Sequence, residues 1–150
     1  MKLDSVEKIL DFAIEKEEDA SQFYLDLAKR VKPAHMKKVF EGFSKEEQGH
    51  KQKLVGIKDG KFAMPSRQKV QDLGIGEHLV DVELTPDLDL QDALILAMKA
   101  EKAAFKLYHD LSEATDDANA KNLFLTLAQE EAKHKLRFEI EYDNYAYKEN

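Results

Sequence analysis

The sequence predicts an all-α fold, a four-helix bundle built from two antiparallel helical hairpins joined by a long crossover. Four segments carry apolar residues in steps of three and four, the spacing of one face of an α-helix. The turns after the first and third segments are short, so the helices of each pair run antiparallel. Hairpin 1 covers about residues 5–58, the crossover about 59–88 and hairpin 2 about 89–147 of a single domain, 1–150.

Hairpin 1 has clear boundary signals. Its first helix is predicted over about residues 5–31, with Asp4 as the candidate N-cap. Pro33 interrupts the pattern and suits the first turn of the next helix. The second helix runs over about residues 34–58 and ends before Gly60, because glycine adopts the backbone conformation that terminates helices.

The crossover lacks sustained periodicity. A short helix is predicted near residues 66–73, and the alternation over residues 79–84 is typical of an extended segment. A connection of this length is unusual in a compact domain and needs a structural reason.

Hairpin 2 repeats the pattern of hairpin 1. Its first helix begins near Asp89 and runs to about Thr115, with Asp92 in its first turn. The second helix begins near Asp116 or Asp117 and continues into the C-terminal tail.

The composition limits the function. Lys and Arg number 23 against 30 Asp and Glu, a formal net charge of −7, which argues against a sequence-independent nucleic-acid binder. The chain has no cysteine, which excludes disulfides, thiolate metal sites and a thiol nucleophile. No apolar run approaches the roughly 20 residues that span a bilayer, and the charged start is unlike a signal peptide. We therefore expect a soluble, cytoplasmic protein without membrane or nucleic-acid partners.

The two hairpins match each other at a constant offset of 84 residues, without a gap. The match includes charged and aromatic residues, which two merely amphipathic hairpins would not share. We therefore infer a duplicated hairpin and a pseudo-two-fold axis between the halves. The matched pairs include Leu10/Leu94, Ala13/Ala97, Glu17/Glu101, Ala20/Ala104, Tyr24/Tyr108, Phe40/Phe124, Glu46/Glu130, Glu47/Glu131 and His50/His134.

Six ionisable residues interrupt the apolar faces of the four long helices. The first helix contributes one Glu, the second contributes a Glu-x-x-His motif, and the third and fourth repeat this pattern. Each Glu lies near the middle of its helix, so antiparallel packing brings all six side chains to one level of the bundle. The six candidate metal ligands are Glu17, Glu47, His50, Glu101, Glu131 and His134.

Bound metal ions would offset the free-energy cost of burying these six groups. One unpaired buried carboxylate costs several kcal/mol, and four like charges in an apolar core are worse. Two divalent cations supply +4 against −4, and a Glu with a His three residues later shares one helical face, which suits one ion per motif. Di-iron and di-manganese carboxylate bundles carry this ligand pattern. Carboxylate and imidazole donors suit two iron ions or two manganese ions, and they would accept zinc after heterologous expression.

Neighbouring acidic residues are assigned by symmetry. Glu18 adjoins Glu17, but its repeat partner is Lys102, so the repeat selects Glu17 as the ligand. Glu46 and Glu130 match each other but lie one residue off the apolar face. We interpret them as hydrogen-bonding partners of the ligands or as solvated side chains.

Two tyrosines follow the candidate ligands at matched positions. Tyr24 and Tyr108 lie seven residues after Glu17 and Glu101, two turns along the same face. One interpretation is a core aromatic residue with a satisfied hydroxyl group. The other is a catalytic role, either as a hydrogen-bond donor to a ligand carboxylate or as a redox-active phenol.

The chain resembles the rubrerythrin-type members of the ferritin-like superfamily. The resemblance lies in EEDASQFY (17–24), EEQGH (46–50), AEKAAFKLY (100–108) and EEAKH (130–134), and it covers almost the whole chain. It implies a ferritin-like four-helix bundle whose long crossover returns along the bundle. Full-length rubrerythrins add a rubredoxin domain with four iron-binding cysteines. Since this chain has no cysteine, the resemblance implies an external electron-donor protein or a small reductant.

One position departs from the rubrerythrin pattern. Rubrerythrins usually carry an additional Glu three residues after the ligand of the third helix, where this chain has Ala104. In that family the additional Glu is associated with movement of iron between ligands during peroxide reduction. The remaining symmetric ligand set is similar to those of bacterioferritin ferroxidase centres and manganese catalases.

The resemblance implies a di-iron oxidoreductase that reduces hydrogen peroxide or dioxygen with an external electron donor. Three alternatives stay open at this point. They are a ferroxidase that handles iron, a di-manganese catalase, and a bundle in which the metal ions only stabilise the fold. We also expect a homodimer or a higher homo-oligomer.

Overall fold

The computed structural model describes residues 5–85 and 87–149, with side chains up to residue 146. Within these ranges the protein contains no strand, so the predicted all-α four-helix bundle is confirmed. The helices are α1 (Val6–Arg30), α2 (Ala34–Lys58), α3 (Arg67–Asp72), α4 (Leu90–Glu113) and α5 (Ala118–Glu149). The long helices α1 and α2 form one hairpin, and α4 and α5 form the other.

The ends of the hairpin 1 helices follow from local chemistry. The Ser5 hydroxyl group accepts a hydrogen bond from the Lys8 amide at 3.2 Å and caps α1, whereas Asp4 lies outside the described residues. Helix α2 starts directly after Pro33, which precedes the first helical residue instead of lying inside the first turn. Gly60 ends the hairpin with a φ of 88°, a left-handed conformation that glycine adopts without steric strain.

Aspartates cap both helices of hairpin 2. The Asp89 carboxylate accepts a hydrogen bond from the amide of Asp92 at 2.8 Å, so α4 begins where the sequence predicts. The Asp117 carboxylate accepts one from the amide of Ala120, also at 2.8 Å. Each cap satisfies an amide that has no partner within its helix.

The core consists of two apolar clusters at opposite ends of the bundle. Cluster 1 includes Ile9, Leu10, Leu54, Leu111 and Phe124. Cluster 2 includes Tyr24, Leu27, Phe40, Leu94 and Phe138. The middle turns of the four long helices lie between these clusters, and this is where the polar candidate residues occur.

The crossover runs from one end of the bundle to the other. Its short helix α3 packs against cluster 1 through buried Val70, and Leu84 and Leu88 pack against cluster 2. Between them, residues 79–85 belong to no helix or strand. An ion pair between Asp81 and Lys16 of α1 attaches this segment to the bundle. The return path explains the length of the connection.

No helix in the described part of the chain combines the length and the apolarity that a membrane span requires.

Candidate metal centre

The six candidate ligands lie together in the middle of the bundle. Each long helix supplies its residues from an inward-facing turn, and every one of the six residues is at most 4 % exposed. Helices α1 and α4 each contribute one carboxylate, whereas α2 and α5 each contribute a carboxylate and an imidazole from consecutive turns. These residues are Glu17, Glu47, His50, Glu101, Glu131 and His134.

The cluster divides into two overlapping groups of four. In each group, one ligand atom per residue lies within 4.8 Å of all the others. The first group contains Glu17, Glu47, His50 and Glu131, and the second contains Glu47, Glu101, Glu131 and His134. Glu47 and Glu131 belong to both groups, so their carboxylates lie between the two positions. This arrangement offers each position one imidazole, one carboxylate of its own and two shared carboxylates.

The two imidazole rings approach the shared carboxylates with the same nitrogen. His50 Nδ1 lies 3.3 Å from Glu47 Oε1 and 3.2 Å from Glu131 Oε1. His134 Nδ1 lies 3.3 Å and 3.7 Å from the same two oxygens. The cluster therefore keeps the pseudo-two-fold relation that the repeat predicts.

Each of the six side chains has a buried polar atom without a hydrogen-bond partner. These atoms are Glu17 Oε2, Glu47 Oε1, His50 Nδ1, Glu101 Oε2, Glu131 Oε1 and His134 Nδ1. Buried polar atoms are almost always satisfied, and six exceptions facing one small volume indicate a missing partner. Oxygen and nitrogen donors of this kind suit iron and manganese ions. The donor set therefore fits two divalent cations.

The pKa values of the metal-free cluster also reflect the cost of burying several carboxylates together. Burial, followed by repulsion from the neighbouring carboxylates, raises the pKa of Glu47 and of Glu131 well above the usual range. Burial alone would lower the pKa of His50, but contacts with Glu131 and Glu17 raise it to about 10. His134 behaves alike, with its pKa raised to about 9, mainly by Glu101. Without cations, the cluster therefore binds protons instead.

The two tyrosines bind carboxylates of the opposite hairpin. The Tyr24 hydroxyl group of α1 donates to Glu101 Oε1 of α4, and the Tyr108 hydroxyl group of α4 donates to Glu17 Oε1 of α1. Burial, then the nearby carboxylates, raises the pKa of both phenols well above 10, so they remain protonated donors. Each tyrosine occupies one oxygen of its partner and leaves the orphaned Oε2 for the centre. The structure thus shows the hydrogen bond that one of the two interpretations requires.

A family model decides the relationship of this chain to known proteins. The rubrerythrin model matches residues 8–142, which include all six clustered residues. This chain belongs to the rubrerythrin family. No curated protein shows a significant match to it.

Two solved structures share the architecture. A hypothetical protein from Pyrococcus furiosus is 27% identical, with a TM-score of 0.72 over 93% of this chain and 89% of its own. A Thermotoga maritima protein described as ferritin-like and diiron-carboxylate is 19% identical, with a TM-score of 0.75 over 95% of this chain and 96% of its own. The second similarity shows the fold alone, and it confirms the predicted ferritin-like bundle.

An aromatic layer packs against His134 on the imidazole side of the centre. The Phe43 ring stacks on His134 with centroids 4.1 Å apart, and Phe138 packs edge-on against Phe43 at 5.5 Å. Phe40 stacks on Phe138 at 5.9 Å and continues the aromatic layer. This side therefore presents packed rings to the centre.

The opposite side contains a small cavity between α1, α4 and the crossover. Its volume is about 40 Å³, and all four clustered carboxylates line it. The remaining lining is mainly apolar, and it includes the matched pair Ala20 and Ala104 together with Val82 and Leu84 of the crossover. Ala104, the position at which this chain departs from the rubrerythrin pattern, thus contributes a methyl group to the cavity wall.

The sequence predicted the roles of the neighbouring acidic residues only in part. Glu18 faces away from the cluster and forms an ion pair with Lys51 at 3.3 Å, in agreement with the choice of Glu17. Glu46 Oε2 lies 2.6 Å from His134 Nε2, so this residue is a hydrogen-bonding partner and not merely solvated. The sequence did not predict the cavity or the place of Ala20 and Ala104 in its wall, because small apolar residues give the same pattern in any tightly packed helix.

Proposed function

We propose that this protein is a di-metal oxidoreductase that reduces hydrogen peroxide or dioxygen with electrons from an external donor. The observation that carries the proposal is the set of six orphaned ligand atoms in two overlapping groups. Two iron ions are the proposed metals, since carboxylate and imidazole donors suit iron. Metal binding by Glu17, Glu47, His50, Glu101, Glu131 and His134 is part of the same proposal.

The residues of the chain have distinct roles in this proposal. A pair of iron ions, when bound, supplies the two electrons that convert hydrogen peroxide and two protons into two water molecules. Glu47 and Glu131 would contribute to both metal positions, because each carboxylate belongs to both groups. Tyr24 and Tyr108 fix the carboxylates of Glu101 and Glu17 through their hydrogen bonds.

The cavity on the carboxylate side supports the proposal that the substrate is a small oxidant. A volume of about 40 Å³ accommodates a molecule no larger than a few waters. Hydrogen peroxide and dioxygen meet this limit, whereas a bulky organic substrate does not. The apolar lining also restricts access of bulk water to the four carboxylates.

The proposal includes partners outside the chain. With no cysteine, the chain has no thiolate ligands for an electron-transfer cluster, so a donor protein or a small reductant must restore the reduced metal ions. A cytoplasmic setting, where reduced carriers are present, and a homodimeric or higher assembly belong to the same proposal.

Rapid mixing of the iron-loaded protein tests the activity. The reduced protein is mixed separately with hydrogen peroxide and with dioxygen, with and without a reductant. Repeated peroxide or dioxygen consumption that requires the reductant is the expected result. Release or storage of Fe(III) would instead assign iron oxidation. Evolution of dioxygen from peroxide with manganese bound would assign a catalase, and no reaction with either oxidant would overturn the proposal.

Ligand variants test the site independently of the reaction. Glu47→Ala and His134→Ala should each lower the metal-to-protein ratio, measured by elemental analysis, while circular dichroism shows an unchanged helix content. Glu18→Ala is the matched control, because this carboxylate faces away from the centre and should leave the ratio unchanged. Unchanged metal content in both ligand variants would rule out the assignment.

A further inference from the structure

His134 is held from outside the metal centre by an acidic side chain. Its Nε2 lies 2.6 Å from Glu46 Oε2, while its Nδ1 faces the clustered carboxylates. For Nδ1 to accept a metal ion, Nε2 must carry the proton, and that proton points at the Glu46 carboxylate. This contact therefore selects the tautomer and the ring orientation that metal binding needs.

The equivalent contact is missing in the other half of the cluster. His50 and Glu130 are the repeat partners of His134 and Glu46. Among the described residues, no hydrogen bond or ion pair joins Glu130 to His50, whose described ionic contacts all involve the clustered carboxylates. The duplication thus keeps both acidic residues but uses only one of them as an anchor.

The aromatic neighbours of the two histidine rings also differ, and His134 again has the additional contact. Phe43 stacks on His134 with centroids 4.1 Å apart and planes 27° apart. The repeat partner of Phe43 is Leu127, which has no aromatic ring to stack on His50. The His134 ring is therefore fixed by Phe43 and by a hydrogen bond at Nε2. Among the described residues, His50 has no acidic partner at Nε2, and its stacked neighbour is the His134 ring itself, with centroids 6.3 Å apart.

We infer that the two metal positions are unequal, with the His134 position binding its ion more tightly than the His50 position, and that Glu46 is the positioning residue responsible. This inference rests on the metal binding of the proposed function. Partners that fix a ligating imidazole typically change metal affinity by about 10–100-fold. Glu46 is itself about half exposed, so its charge is partly screened and it acts mainly by orienting the ring.

Titration of the metal-free protein with Co(II) tests the inequality. Calorimetry follows the binding, and native mass spectrometry counts the ions in each step. The expected result is two steps of unequal affinity, with a singly loaded species at half saturation. His50→Ala, which keeps the His134 position, should bind one ion more tightly than His134→Ala does. Two equal steps, or the reverse order in these variants, would overturn the inference.

Glu46 and Glu130 provide a matched pair of variants. Glu46→Ala should weaken the tighter step by about tenfold, whereas Glu130→Ala should leave both steps unchanged. Glu46→Gln should keep part of the affinity that Glu46→Ala loses, because its amide oxygen can still accept a hydrogen bond from Nε2–H. A purely structural effect would not be rescued in this way, and circular dichroism checks the fold of each variant. Equal effects of the two alanine variants would refute a specific role for Glu46.

These outcomes separate the inference from the proposed function. If Co(II) does not bind, the proposed metal centre itself fails. If two ions bind with equal affinity and the iron-loaded protein still reduces an oxidant, only the inequality is refuted.

Discussion

The two sides of the candidate metal centre differ in how they are packed. On the imidazole side, the Phe43 ring stacks on His134, and Phe138 and Phe40 complete an aromatic layer. On the carboxylate side, alanines and the crossover leave a cavity of about 40 Å³ against the four carboxylates. The buried cluster is thus bordered by packed aromatic rings on one side and by a cavity on the other.

This difference assigns separate tasks to the two sides. Aromatic rings in close contact exclude water and hold the His134 imidazole, so this side supports the fold and the ligand geometry. Methyl groups leave room that larger side chains would fill, so the other side is the proposed approach for a small oxidant. Substitutions on the first side should therefore affect stability, and substitutions on the second should affect reaction rate.

The largest effect is expected from removing a ring of the aromatic layer. Phe138 is fully buried, and Phe138→Ala should lower the free energy of unfolding by about 3–5 kcal/mol because it leaves a cavity. Denaturant titration of the metal-free protein measures this change. Leu136→Ala, on an exposed position two residues earlier in α5, should change it by less than about 0.5 kcal/mol. A small loss for Phe138→Ala would show that the layer is loosely packed.

The sequence was sufficient to predict this bundle because helical periodicity is a strong local signal. The predicted ends of the long helices lie within a few residues of the observed ones, since Asp89 and Gly60 are chemically suited to their positions. The repeat then placed six ionisable residues at one level. Both hairpins carry ionisable residues at the same level of their apolar faces. These residues find polar partners only when the two hairpins face each other.

The contacts between helices could not be predicted in the same way. The spacing put Tyr24 on the face of Glu17, but its hydroxyl group binds Glu101 of the other hairpin. The symmetric sequence gave no reason for Glu46 to contact His134 while Glu130 makes no such contact with His50. These outcomes depend on helix rotation and side-chain rotamers, which the periodicity of one helix does not determine.

The next effect concerns the pH dependence of the metal-free protein. The folded pKa of His50 is about 10 and that of His134 about 9, above the usual value near 6.5 for an unfolded chain. The folded state then binds more protons than the unfolded state, so stability falls as pH rises from about 6.5 towards 9 or 10. The raised pKa values of Glu47 and Glu131 act in the same direction.

Thermal unfolding at several pH values measures this slope. Each imidazole that stays protonated only in the folded state contributes about 1.4 kcal/mol per pH unit. Bound metal ions replace these protons, so the metal-loaded protein should not share the decline. A metal-free protein that becomes more stable between pH 7 and about pH 8.5 would contradict the proton-bound state of the imidazoles.

The smallest effect is expected when the cavity is filled. Ala104→Leu adds three carbon atoms to the wall of the carboxylate side, where a cavity already exists. The rate of oxidation of the iron-loaded protein should fall about tenfold, equivalent to about 1.4 kcal/mol, with an unchanged metal-to-protein ratio. Rapid mixing with hydrogen peroxide and with dioxygen measures the rate, and elemental analysis measures the ratio.

Ala132→Leu provides the matched control for the filled cavity. Ala132 follows the clustered Glu131 in α5 but faces solvent, so the same exchange adds the same bulk outside the centre. Its oxidation rate should equal that of the unmodified protein. If both variants react at the unmodified rate, the oxidant does not pass through the cavity. If both are slowed equally, the effect does not come from the cavity, and the separation of tasks between the two sides fails.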